Sequence, residues 1–140
     1  MDAFDADVLI YAAAPDNALG RRVRALFPVE ATATTGAAAG LGSVLLIPEL
    51  LSKPMRYGAD SEIEAIAALL GRLDLRPVDE ALAELAAALG STYKLRAADS
   101  VHLATAVAAG ADRFITNNSS DFSKSIAEVD VTYPGELPGP

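Results

Sequence analysis

Five acidic residues stand where a chain building only a hydrophobic core would place something apolar. Asp5 and Asp7 break an apolar N-terminal run. Glu49 sits inside another, Asp99 lies near the start of the alanine-rich stretch Leu95–Ala106, and Asp121 follows the strand-like Arg113-Phe114-Ile115-Thr116. Each has a plain explanation on its own. Asp99 and Glu49 suit the first turn of a helix, where the dipole favours an acid, and Asp7 suits an N-cap. Gathered in one place, these carboxylates would repel one another unless a cation sat between them. The chemistry to expect is therefore a carboxylate pocket for a divalent metal, since hard cations take oxygen ligands.

The elements that must position them can be read in order. Ala3 onward begins a short strand with Asp5 at its C-terminal end and Asp7 as an N-cap-like residue opening a helical turn. After a turn at Pro15-Asp16-Asn17, residues 18–27 form an amphipathic helix. Its basic residues Arg21, Arg22 and Arg24 are read mainly as a solvated face, with RNA guidance or partner binding as the alternative. Residues 29–42 combine strand propensity at Thr32-Ala33-Thr34-Thr35 with glycines at 36, 40 and 42, as in a flexible or closely packed connection. These glycines lack the Gly-Lys-Ser/Thr of a phosphate loop. A buried strand is expected over Ser43–Ile47 and a helix from Pro48, with Glu49 near its start. A helix follows from Ser61 to about Leu70, stopped by Gly71, then a strand over Leu73–Val78. A helix capped by Asp79 runs through Leu89 and stops at Gly90. The helix carrying Asp99 spans roughly 97–109 and ends at Gly110. Strands over Arg113–Thr116 and Val129–Tyr133 flank a turn at 117–120 and a helical turn begun by Asp121-Phe122. Strands alternating with helices predict an α/β fold, a parallel sheet covered on both faces. Ligands of such sheets bind beyond the C-terminal strand ends, where Asp5, Glu49 and Asp121 are expected to lie.

Composition sets the outer limits. A length of 140 residues fits one domain, taken as residues 1–133, followed by a Pro/Gly-rich tail over 134–140. With 51% hydrophobic and 21% charged residues the chain is a folded one. Without cysteine it has no disulfide and no thiolate metal site. No apolar stretch is long enough to span a bilayer, and the acidic start lacks the basic region of a signal peptide, so a cytoplasmic, soluble protein is expected. The net charge of -8 would ordinarily argue against nucleic acid, but a metal bound by the carboxylates would reverse the local field.

Four segments taken together resemble the PIN-domain family, and within it the VapC toxins of bacterial toxin–antitoxin pairs. They are Phe4-Asp5-Ala6-Asp7-Val8-Leu9-Ile10-Tyr11-Ala12; Ser43 with Pro48-Glu49-Leu50-Leu51; Ala97-Ala98-Asp99-Ser100-Val101-His102-Leu103-Ala104-Thr105-Ala106; and Phe114-Ile115-Thr116-Asn117-Asn118 with Asp121-Phe122. Their order and spacing cover nearly the whole chain. The resemblance implies a three-layer α/β/α fold with a short central parallel sheet flanked by helices. It also implies a Mg²⁺- or Mn²⁺-dependent endoribonuclease acting on RNA, inhibited by a VapB-type antitoxin and forming a homodimer. It maps the family's acids to Asp5, Glu49 and Asp99, with Asp7 at the motif's third position. Members with an acid two residues after the motif threonine would carry it at 118, where this chain has Asn118. Others place it just before the phenylalanine, which here is Asp121. Asp121 is taken as the fourth acid, with Thr116 and Asn118 in support; the departure at 118 bears on whether a second metal is held.

On this reading Asp5 and Asp99 are direct metal ligands, while Glu49 and Asp121 bind through water or orient the nucleophile. Lys94 and Arg96, beside the pocket, are candidates for phosphate contacts. His102 shares a helix face with Asp99 and is read as a packed histidine rather than a ligand or general base. Two other functions compete. One is a PIN-like module kept for protein binding, suggested by Asn118. The other is a phosphatase of the haloacid-dehalogenase type, suggested by Asp5-Ala6-Asp7. The latter needs Thr or Val where Leu9 stands, and no convincing downstream lysine or paired-acid motif follows.

Overall fold

The computed structural model describes residues 1–28 and 37–139. Five short strands form one parallel sheet: β1 (Asp2–Phe4), β2 (Gly40–Ser43), β3 (Leu73–Arg76), β4 (Arg113–Ile115) and β5 (Asp130–Thr132). Their order across the sheet is β3-β2-β1-β4-β5. The helices among the described residues are α1 (Ala6–Ala13), α2 (Ala18–Arg24), α3 (Leu46–Arg56), α4 (Asp60–Leu70), α5 (Glu80–Tyr93) and α6 (Ala97–Ala108). None of them is long and apolar enough to cross a membrane.

Alternation along the strands builds two cores, because successive side chains in a strand point to opposite faces. On one face Ala3, Leu41, Phe114 and Val131 pack against Leu82, Ala86 and Leu89 of α5 and Leu103, Ala104 and Ala106 of α6. On the other, Phe4, Leu73 and Ile115 meet Val8, Leu9 and Ala12 of α1, Val23 of α2, Leu46 and Leu50 of α3, and Ile66 and Leu70 of α4. The three layers expected from the sequence are present. α1 and α2 approach closely because position 20 is glycine: a Cβ there would lie 1.9 Å from the Tyr11 carbonyl oxygen.

Several local expectations change. The strand expected over Ser43–Ile47 instead occupies Gly40–Ser43, and α3 begins at Leu46 rather than Pro48. Small residues suit this strand, since a Cβ on Gly40 would lie 2.5 Å from the Phe4 ring. The apolar run that follows serves the helix: Leu46 and Leu50, one turn apart, are buried, and Ile47 is exposed. The strand-like Thr32–Thr35 falls outside the described residues. Gly90 does not end α5, which continues to Tyr93, where Lys94 takes the left-handed position with φ 57°. Gly90 allows close helix contact instead, as a Cβ there would lie 2.5 Å from Ser100 Oγ on α6. Asp5, not Asp7, is the N-cap of α1; Asp7 lies in its first turn.

The arginines of α2 are not all solvated. Arg22 donates to the Gly135 and Leu137 carbonyls at 3.1 and 2.8 Å, and Arg24 donates to the Ala12 and Ala14 carbonyls at 3.1 and 3.4 Å. Arg21 is exposed. After β5, Pro134–Glu136 form a 3-10 turn and Leu137 is buried in the core shared with Phe4 and Val23. Packed chain therefore reaches Leu137.

Candidate active site

All five strands are parallel, so their C-terminal ends share one edge. β1 lies between β2 and β4, and the strand order reverses between β1 and β4, the place where sheets of this kind take ligands beyond their C-terminal ends. Asp5 follows β1 directly and Thr116 follows β4. The Thr116 hydroxyl donates to Asp5 Oδ2 at 2.8 Å, and the Ala6 amide donates to Asp5 Oδ1 at 2.8 Å. Asp5 is thus both a helix cap and a buried carboxylate, only 5% exposed. Asp7, in the first turn of α1, accepts from the Val8 amide at 2.7 Å and the Asn117 amide at 3.0 Å, which ties α1 to the loop after β4. Asn117 Nδ2 reaches the Tyr11 hydroxyl at 3.3 Å.

That loop also fixes Asp121. The Asn118 amide donates to Thr116 Oγ1 at 3.1 Å, and Asn118 Nδ2 donates to Asp121 Oδ2 at 2.9 Å. Asn118 Oδ1 accepts from Ser120 Oγ at 2.9 Å and from the Asp121 amide at 3.2 Å. Asp121 and Phe122 lie in a single turn closed by the Phe122 amide on the Asn118 carbonyl at 2.9 Å; no helix follows. Asn118 is therefore a holder of Asp121.

Asp99 and Glu49 lie in the first turns of α6 and α3, whose N-termini bring partial positive charge to the acids. His102, 2% exposed, links the two helices: its Nε2 is 2.6 Å from Glu49 Oε1. Lys94 and Arg96 are exposed at the α5–α6 junction; Arg96 is the N-cap residue of α6 but makes no side-chain cap.

Electrostatics draw these residues into one neighbourhood. Burial pushes the Asp5 carboxyl above the usual aspartate range; His102, Thr116 and the Ala6 amide oppose the rise, and the Glu49 charge adds to it. Asp7 is pushed up to about 6, first by burial and then by the charge of Asp5, against its two backbone hydrogen bonds, with Asp99 adding a smaller push. Asp99 is raised by burial and by Asp5 and Asp121, with His102 opposing and Glu49 adding. Burial disfavours a charged His102, but the Glu49 hydrogen bond and the charges of Glu49, Asp5 and Asp99 outweigh it and raise its pKa.

The five acids named from the sequence thus act on one another at one rim. No group of three Asp, Glu or His side chains among the described residues is already placed to hold a metal ion. The donors nevertheless fit a hard divalent cation in type and charge: they are carboxylate oxygens, burial raises the pKa of both Asp5 and Asp99, and the charge of Asp5 raises Asp99 further. The tie between His102 and Glu49 escaped the sequence reading. Its one signal was the placement of His102 one turn after Asp99.

A three-layer α/β/α domain with acids from three helix starts near the switch point of its sheet is the class of protein the geometry defines. The chain belongs to the PIN domain family, whose model matches residues 3–125. No curated protein matches the sequence. Solved structures share the fold. A toxin–antitoxin complex from Klebsiella pneumoniae has a chain 23% identical, with TM-score 0.65, covering 96% of this chain and 98% of that one. VapBC2 from Rickettsia felis, bound to a DNA fragment from its promoter, is 14% identical with TM-score 0.69, covering 94% and 97%. FitAB bound to a DNA fragment named IR36 is 23% identical with TM-score 0.66, covering 99% and 98%.

Proposed function

We propose that this protein is a divalent-metal-dependent endoribonuclease and the toxin partner of a VapB-type antitoxin. One observation carries the reading: Asp5 and Asp7, at the start of α1, are brought together with Asp99, at the start of α6, and each is driven towards its neutral form by burial and by its acidic neighbours. Core packing gives no reason to assemble such repulsion, whereas a cation would relieve it. Membership of the PIN family and the likeness in fold to chains of toxin–antitoxin complexes support the assignment.

Asp5 and Asp99 would hold Mg²⁺ or Mn²⁺. When bound, the ion supplies positive charge opposite the phosphate oxygens and acidifies water for in-line attack. Glu49 and Asp121 would bind the ion through water or orient the attacking water, and Thr116, Asn118 and Asp7 keep the carboxylates in place. Lys94 and Arg96, exposed beside α6, contact RNA phosphates. We assign the antitoxin and a homodimer as partners on the same grounds.

The test is cleavage of a tRNA pool and an rRNA hairpin by the purified chain, with Mg²⁺ or Mn²⁺ against EDTA and with Asp99→Asn as control. Metal-dependent cleavage lost in the mutant is the expected result. Equal inactivity of both, with no change in thermal stability on adding Mg²⁺, would favour the second reading. That reading is a PIN fold kept for protein binding, and it draws on Asn118 and on the lack of three converged ligands among the described residues.

A further inference from the structure

We propose that His102 is a positioning residue: its Nε2–H holds the Glu49 carboxylate at the acidic rim, locking α3 to α6 and leaving the other Glu49 oxygen for the site. The inference rests on the metal-dependent reading above and names a residue that reading does not use.

The argument starts from burial. His102 is 2% exposed, so its ring has little access to water, and a buried polar group needs a partner. Nε2 has one, Glu49 Oε1 at 2.6 Å, while Nδ1 has none among the described residues. A proton on Nδ1 with none on Nε2 would orphan a donor and set two acceptors against each other. Nε2 is therefore the protonated nitrogen whether the ring is neutral or charged, and the role does not depend on its charge. Glu49 is the freer partner, its side chain 34% exposed on the first turn of α3. A glutamate so placed has several rotatable bonds, and a hydrogen bond to a rigid, buried ring removes most of that freedom. Asp99 and His102 lie one turn apart on α6, so a single helix aims one acid directly and a second through the ring. Partners that orient carboxylates in this way are commonly worth 10–100-fold in metal affinity.

The chain has one histidine, so its imidazole nitrogen resonances are unambiguous. In metal-free full-length protein, long-range ¹H–¹⁵N correlation should show protonated Nε2, and Glu49→Ala should move that resonance. A ring protonated on Nδ1 alone, or one indifferent to Glu49→Ala, overturns the proposal. The second readout is the Mg²⁺ concentration giving half of the metal-induced rise in thermal stability. His102→Leu removes the donor and should raise that midpoint about 10-fold. His102→Gln, whose amide nitrogen stands the same number of bonds from Cβ as Nε2, should stay within about twofold of wild type. Equal midpoints for wild type, His102→Leu and His102→Gln would also overturn it. Should His102→Leu not fold, the Gln variant and the nitrogen spectrum still decide. If wild type shows no response to Mg²⁺, the metal-dependent reading fails, and the spectrum alone judges the tie between His102 and Glu49.

Discussion

Thr116 donates its hydroxyl to Asp5 between the neighbouring ends of β1 and β4, where the strand order reverses, at 2.8 Å, although the two residues are 111 positions apart. Both are buried, Thr116 completely. The bond joins the ends of β1 and β4 and partly offsets the desolvation of Asp5. Thr116→Val keeps the shape but leaves a buried carboxylate oxygen without its donor, at a cost of about 1–3 kcal/mol. Thr116→Ser should recover most of that. Urea unfolding of the two variants at pH 7 checks it, and equal stabilities would show that the hydroxyl contributes nothing.

Asp7 sets a pH dependence. Its folded-state pKa of about 6 lies above the ordinary 3.8. A raised carboxyl binds more protons in the folded state, so its contribution is fully present below about pH 4 and is lost as pH rises through about 6. The gap corresponds to about 3 kcal/mol at full burial, which partial exposure reduces to about 1–2 kcal/mol. In metal-free buffer, Asp7→Asn should be more stable than wild type at pH 7.5 and lose that advantage at pH 4. Paired thermal melts at the two values test this; a constant difference between the proteins counts against it.

Asp99→Asn should separate stability from metal response. Asp99 is repelled by Asp5 and Asp121, so the neutral side chain is expected to raise the melting temperature in EDTA. Mg²⁺ at 100 times its dissociation constant should stabilise wild type by about 2.7 kcal/mol, and the mutant by much less. A mutant that melts lower in EDTA and gains as much from Mg²⁺ as wild type would remove Asp99 from the proposed metal site.

Leu137 tests how far the folded unit extends. It is 2% exposed, in the core with Phe4 and Val23, and Arg22 holds its carbonyl at 2.8 Å. Leu137→Ala is expected to cost about 2–4 kcal/mol, as for other buried leucines. Denaturant midpoints would reveal a free tail instead if the variant matched wild type.

The sequence by itself determined the layers and which acids make up the candidate site. Alternation in Ala3-Phe4 and Phe114-Ile115, and helix signals such as Asp79, which caps α5 through the Leu82 amide at 2.9 Å, act over a few residues and are legible locally. Asp5 and Asp99 could be placed at a strand end and a helix start for the same reason. Strand order is another matter. β1 lies between β2 and β4 because of contacts between segments far apart in the chain, and that order brings Thr116 to Asp5. Short-range pattern also misplaced β2, whose glycine-rich sequence has weak strand propensity and is held by the close approach of Phe4. The bond from His102 to Glu49 spans 53 positions, and only tertiary packing could decide it. Propensity is a property of neighbours in sequence, whereas these pairings depend on neighbours in space.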